Sequence, residues 1–264
     1  MFRDAIPGME KVFLTEPPHG SVILIIGSAG TLKSAFTYNL IANNIAKRPE
    51  DQIGCMFVSL EETRESLMRN IKTMGIPSTN NIQIADVASF LNELDPFSNN
   101  AQQNDYAKLI LEKASRPFEI YPPVDSNGKA VSKKSTALVE QEGTKSTDRS
   151  LSKPSIFVLD SLNALNAMVN SNSVSLRKEV ANFMFKLREK SITSFIIMEV
   201  GDPNFHRPEH FLVDGIIELG MLETEPRRFK RYIKVQKMRA TKHSIEPFLI
   251  EVTNDGIKVV EELI

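Results

Sequence analysis

The sequence predicts an α/β domain whose central sheet is mainly parallel and flanked by helices, with antiparallel β-hairpins toward the C-terminus. Three observations carry this. Short apolar runs alternate with amphipathic helical stretches over the first 200 residues. A glycine-rich turn joins the first of those runs to the first long helical stretch. After residue 215 the pattern changes to short β segments separated by turn residues. Strand–helix alternation builds parallel sheets, because each parallel return needs a crossover, whereas consecutive strands joined by tight turns pair antiparallel. The chain has 264 residues, of which 41% are hydrophobic and 25% charged. These are values of an ordinary globular domain and leave room for one large unit, residues 1–264.

The elements follow in order. Residues 21–26, Ser-Val-Ile-Leu-Ile-Ile, read as a strand buried on both faces. A helix over 33–46 carries Phe36, Leu40 and Ile41 on its apolar side. Residues 55–60 form a second apolar strand ending in Glu61 and Glu62. Thr63 caps the next helix, whose Leu67, Ile71 and Met74 recur at helical spacing until Gly75 and Pro77 stop it. Residues 82–85 read as another strand. The stretch 98–153 is polar and poor in apolar residues, with one helical segment over 106–113. Its second half, 125–153, cannot bury much surface and is expected to be a mobile insertion whose lysines are solvated. Apolar strands return at 155–159, ending in Asp160, and at 194–198, ending in Glu199. The helix between them, 175–190, presents Leu176, Val180, Phe183 and Leu187 as one stripe. Segments 215–219, 231–237, 248–252 and 257–260 complete the pattern, with turns at Glu225-Pro226 and Asn254-Asp255-Gly256.

The sharpest chemical signal is Gly27-Ser28-Ala29-Gly30-Thr31-Leu32-Lys33-Ser34. Binding polyphosphate needs inward-pointing backbone N–H groups, a helix N-terminus, a lysine and a hydroxyl for Mg²⁺. The P-loop pattern G-x-x-x-x-G-K-[ST] supplies these between a strand and a helix. The expected nucleotide contacts are Ser28, Ala29, Gly30, Thr31, Leu32, Lys33, Ser34 and Ala35. Lys33 is expected to reach the β- and γ-phosphates and Ser34 to coordinate Mg²⁺. Leu32 stands where the pattern has glycine, so its side chain must turn away from the phosphates or the loop must shift. Asp160, at a strand end, is the expected second Mg²⁺ ligand. Glu61 and Glu62, at the carboxyl end of a parallel strand, are the candidates to orient or deprotonate the attacking water. The bland alternative for them is an acidic helix N-terminus. Glu199 faces the same edge, either sensing the γ-phosphate or bonding a loop.

With these residues in place, the sequence resembles the KaiC-like branch of the RecA/RadA superfamily of ATPases. Ile6-Pro7-Gly8-Met9 is similar to its I-P-G-x, and segment 19–27 to its lead-in to the P-loop. Phe57-Val58-Ser59-Leu60-Glu61-Glu62-Thr63 resembles its F/Y-V-S-x-E-E-[ST], where the paired glutamates act in hydrolysis. Segment 158–162, Val-Leu-Asp-Ser-Leu, is similar to its Walker B strand. Segment 212–219 is similar to its L-x-D-G-V-I-x-L, and segment 237–244, Lys-Met-Arg-Ala-Thr-Lys-His-Ser, to its K-M-R-G-T-x-H-S. The resemblance implies a RecA-like fold, ATP and Mg²⁺ as cofactors, and rings, usually hexamers, with ATP between neighbours. It also implies that Lys237 and Arg239 contact phosphate in trans, with His243 near the nucleotide. On the residues alone this segment reads as a solvated hairpin of alternating charge. Ala240 stands where the family has glycine. The family's autophosphorylated Ser-Thr pair reads here His210-Phe211, so autokinase activity is not expected.

Composition narrows the partners. With 32 Lys+Arg against 33 Asp+Glu, no global basic field draws the chain to nucleic acid, though a local patch stays open. No apolar run approaches the roughly 20 residues that span a bilayer, and the mixed N-terminus does not read as a signal peptide. A single cysteine, Cys55, permits no internal disulfide and fits a reducing, cytoplasmic setting. It lies in a strand and is expected to pack. His206 and His210 are four apart, but Pro208 between them argues against a metal pair. The expected function is a regulatory ATPase acting on an unidentified protein partner. The alternatives are a nucleotide-binding scaffold with little turnover and, behind it, a recombinase-like DNA protein.

Overall fold

The computed structural model describes residues 2–86, 110–114, 154–168, 173–201 and 208–262. The polar insertion over 125–153, most of 98–153, and His206 lie outside the described residues. Of the helix expected over 106–113, residues 110–114 are described and are helical.

One nine-stranded sheet organises the chain. Its strands are β1 (Val22–Gly27), β2 (Gly54–Ser59), β3 (Ile82–Asp86), β4 (Pro154–Asp160), β5 (Thr193–Glu199), β6 (Gly215–Glu225), β7 (Arg228–Met238), β8 (Phe248–Thr253) and β9 (Gly256–Glu262). Their spatial order is β3-β2-β4-β5-β1-β6-β7-β8-β9. Pairing is parallel from β3 through β6 and antiparallel from β6 through β9. The expected class therefore holds, with the β6–β7 and β8–β9 hairpins at the predicted turns.

The helices are α1 (Met9–Val12), α2 (Lys33–Lys47), α3 (Arg64–Thr73), α4 (Leu162–Ala167), α5 (Ser173–Glu189) and α6 (Glu209–Leu212). The sequence reading had no α1, α4 or α6. Each is six residues or fewer, too short for a helical period to show against background.

β1 sits near the middle and every residue of it is buried. Its side chains alternate between two apolar layers. Ile23 and Ile25 join Phe36, Leu40 and Ile41 of α2 on one face. Val22, Leu24 and Ile26 join Val180, Phe183 and Leu187 of α5 on the other. Full burial of each such side chain contributes about 1.5–3 kcal/mol, so the strand that launches the glycine-rich loop is clamped from both sides.

α3 begins as expected: Ser66 N–H donates to the Thr63 hydroxyl at 3.3 Å. Leu67 and Ile71 are buried against the same layer as α2. The parallel strands β1, β2, β4 and β5 thus point their carboxyl ends to one edge. That edge collects Gly27, Ser59, Asp160 and Glu199.

Candidate functional site

At that edge lies a cleft of about 360 Å³. Its walls include Ala29, Gly30, Leu32, Lys33, Ser34 and Ala35 from the glycine-rich turn and α2. Glu61, Glu62, Asp160 and Glu199 face them from three strand ends, with Asn70 and Met74 of α3 closing one side. Residues far apart in sequence meet here because parallel strands share a direction.

The loop has its own internal bonding. Thr31 is fully buried and its hydroxyl donates to the Ser28 carbonyl at 2.9 Å. Lys33 Nζ donates to the same carbonyl at 2.8 Å and lies 3.8 Å from Glu199. Ser28 and Thr31 are not among the cleft walls; they hold the loop's shape. Gly27 has no room for a side chain, since a Cβ there would stand 2.1 Å from the Leu219 carbonyl oxygen.

Leu32 answers the question its identity raised. Its φ of 69° and ψ of 26° are left-handed, the conformation a glycine adopts freely. The leucine holds a left-handed backbone that a glycine would adopt without strain. A non-glycine residue there costs about 1–2 kcal/mol. The side chain offsets part of that by packing against the apolar layer under α2.

Asp160 is buried, and its carboxylate takes a hydrogen bond from the Ser34 hydroxyl. Its Oδ1 has no hydrogen-bond partner among the described residues. Burial raises its pKa to about 6, with Glu61 and Glu62 adding to the rise while Ser34 and Lys33 oppose it. Burial also lowers the Lys33 pKa, against the pull of Glu199, Glu61 and Asp160. One ammonium therefore faces four carboxylates. Such a site repels polyphosphate unless a cation joins it. A hydroxyl beside a buried, partnerless carboxylate oxygen is the sparse oxygen set that suits Mg²⁺, which keeps most of its waters.

The two glutamates are held differently. The Ser161 hydroxyl donates to Glu61 Oε1. Glu62 Oε2 accepts from the Ser66 hydroxyl at 2.9 Å and from Asn70 Nδ2 at 3.0 Å, which ties it to α3. Ser161, Asn70 and Asn163 were not legible as site residues. Ser161 caps the unpredicted α4 and Asn163 sits on it, both close to Asp160 in sequence, and that adjacency was the available signal. Arg231 on β7 also reaches the loop, with its Nε 3.4 Å from the Gly30 carbonyl.

Lys237, Arg239 and His243 do not line the cleft. Met238 pairs with Gly215, and Gly215 with Ile23, near the start of β1. From Ile23 to Gly27 the strand advances about 13 Å. Lys237 Nζ donates to the His210 and Val213 carbonyls at 3.0 and 2.7 Å. Its pKa is lowered, first by burial and then by Arg239. Arg239 lies 3.4 Å from Asp214, which also takes Arg188 and the Val22 N–H, each at 3.0 Å.

The profile of the family described as "ATPase: KaiC" matches residues 3–114 and 126–264. The chain belongs to the KaiC ATPase family. Among curated relatives, a UPF0273 protein of Methanopyrus kandleri is 26% identical over 97% of this chain and 90% of its own length. The circadian clock oscillator protein KaiC of Parathermosynechococcus lividus is also 26% identical over 97% of this chain, which spans only 42% of that protein. The crystal structure of a KaiC-like protein from Pyrococcus horikoshii shares the fold, with a TM-score of 0.70 at 21% identity, over 97% of this chain and 96% of that one. Among the described residues no helix is long and apolar enough to cross a membrane.

Proposed function

We propose that this chain binds ATP with Mg²⁺ and hydrolyses it to ADP and phosphate, as a homo-oligomer with the nucleotide at subunit interfaces. The observation that carries the reading is the convergence of Lys33, Ser34, Asp160 and Glu61 on one cleft at the carboxyl edge of the sheet. Loop N–H groups and Lys33 would receive the phosphates. Mg²⁺ held by Ser34 and Asp160 would neutralise charge between the β- and γ-phosphates. Glu61, steadied by Ser161, accepts the proton of the water that attacks the γ-phosphorus as the bond to the bridging oxygen breaks. Glu62 fixes the approach of α3 to the cleft. Glu199 competes for Lys33 until phosphate arrives.

Lys237, Arg239 and His243 belong to the reading only in trans, since the sheet separates them from their own chain's cleft. A cation delivered across an interface stabilises transition-state charge, with roughly 10³–10⁵ in rate at stake in other systems. The cycle would regulate a protein partner, in a cytoplasmic setting consistent with ATP as substrate.

The test is Mg²⁺-dependent ATP turnover beside a Glu61→Gln/Glu62→Gln variant at matched concentration. Turnover that vanishes in the variant supports hydrolysis at these carboxylates. Binding without turnover in either protein selects a nucleotide-gated scaffold, for which Leu32 in the loop is the motivating observation.

A further inference from the structure

The connection between β7 and β8 carries Arg239 and His243, and it is long, polar and largely outside the sheet. One stretch of it is stitched to the N-terminal segment. Phe13 and His243 form an antiparallel bridge. The Leu14 and Thr15 N–H groups both donate to the Lys242 carbonyl, at 2.8 and 3.1 Å. The Ser244 N–H donates to the Val12 carbonyl at 2.9 Å. In return the Lys242 N–H donates to the Thr15 hydroxyl at 2.8 Å. The segment is itself anchored: Val12 and Phe13 are buried in the layer under α2, and Arg3 Nε donates to the Phe13 carbonyl at 3.0 Å.

We infer that residues 12–15 are a positioning strand for the nucleotide contacts that Arg239 and His243 present to a neighbouring copy. The inference rests on the trans reading above. A cation that must enter another chain's site has to arrive within a fraction of an ångström of its productive place. A loose connection would give up backbone freedom at each docking. The bridge removes that freedom in advance. It ties the loop to α1 and the apolar layer. Arg239 itself stays available, with its side chain 60% exposed.

Most of these bonds are backbone to backbone. Thr15 Oγ1 is the one acceptor here that a side-chain exchange removes. The experiment uses two disabled chains. Lys33→Ala keeps the Arg239 loop and loses the cleft; Arg239→Ala keeps the cleft and loses the loop's cation. Mixing them should recover ATP turnover that neither shows alone. Thr15→Val is then placed in one chain or the other, with Thr15→Ser as the conservative control. The expected result is a loss of about fivefold in recovered turnover when Thr15→Val sits in the Lys33→Ala chain. It should have little effect in the Arg239→Ala chain, and Thr15→Ser should restore the rate. Binding of a fluorescent ATP analogue to the Thr15→Val chain with an intact cleft should be unchanged. Equal losses in both placements would mark Thr15 as a general stability residue and overturn the inference alone, as would no loss in either. Failure of the parent mixture to recover turnover would overturn the trans reading and the inference with it.

Discussion

Asn163 holds the backbone of Glu199 from both sides. Its Nδ2 donates to the Glu199 carbonyl at 3.0 Å, and its Oδ1 accepts the Glu199 N–H at 2.7 Å. A residue on α4 thus completes the end of β5 where the ladder stops, and it holds the carboxylate that faces Lys33.

Asn163→Ala should therefore lower stability by about 1 kcal/mol, the low end for two partly exposed hydrogen bonds. Urea unfolding checks this, with the midpoint falling and the slope unchanged. Asn163→Asp should be worse than Asn163→Ala at neutral pH, because it sets a carboxylate against the Glu199 carbonyl.

Asp160→Asn should stabilise the nucleotide-free protein while weakening Mg²⁺-dependent ATP binding. The native state holds a proton on Asp160 up to about pH 6, against a normal carboxylate value near 4. Between those values the folded chain binds more protons than the unfolded one, so wild-type stability falls as pH rises. The asparagine variant lacks that fall. Its advantage should be absent below pH 4, grow to pH 6, and level off at no more than about 3 kcal/mol. Thermal unfolding across pH 3.5–8 without nucleotide measures it, and a flat difference would contradict it.

Ala240, like Leu32, stands in a left-handed conformation, with φ of 53°. It is exposed, so glycine relieves backbone strain there without losing packing. Ala240→Gly should raise stability by about 1 kcal/mol. Leu32→Gly should be nearly neutral, since relief of strain is offset by lost apolar contact. Leu32→Val should cost more than either, because a β-branched residue resists positive φ. Unfolding midpoints of the three variants rank them directly.

Leu14 within the stitched segment and Ile245 just beyond it are 54% and 70% exposed. Ile245→Asp should lower self-association in the presence of ATP and leave the unfolding free energy within about 0.5 kcal/mol of wild type. Light scattering after size exclusion reads the first, and urea unfolding the second.

The sequence carried the sheet and most of the cleft because both depend on local signals. Spacing placed Gly27, Lys33 and Ser34 around one turn, and apolar runs ending in Glu61, Asp160 and Glu199 put three carboxylates at strand ends. Parallel pairing then brought them together. What was hidden depends on contacts between distant segments. α4 has six residues, so Ser161 and Asn163 had no periodic element to sit on. Leu32 was visible as a departure from the motif, but only the backbone shows that it keeps the glycine's conformation. The bridge from Phe13 to His243 joins positions 230 residues apart, and no short-range pattern encodes it.

The cleft lies at the carboxyl end of β1, and Arg239 lies beside its amino end. An assembly that unites them has to bring opposite ends of neighbouring sheets together. A two-fold dimer meets that demand only with its two sheets antiparallel, so that each Arg239 falls beside the other chain's cleft. With parallel sheets the association is heterologous: one end of each copy meets the other end of the next. Such a series either closes into a ring or runs on as a filament. In an open series the terminal cleft receives no cation, and every open assembly has one fewer completed site than it has chains. Closure removes that deficit: the step that joins the last chain to the first completes one further interface and leaves no idle cleft.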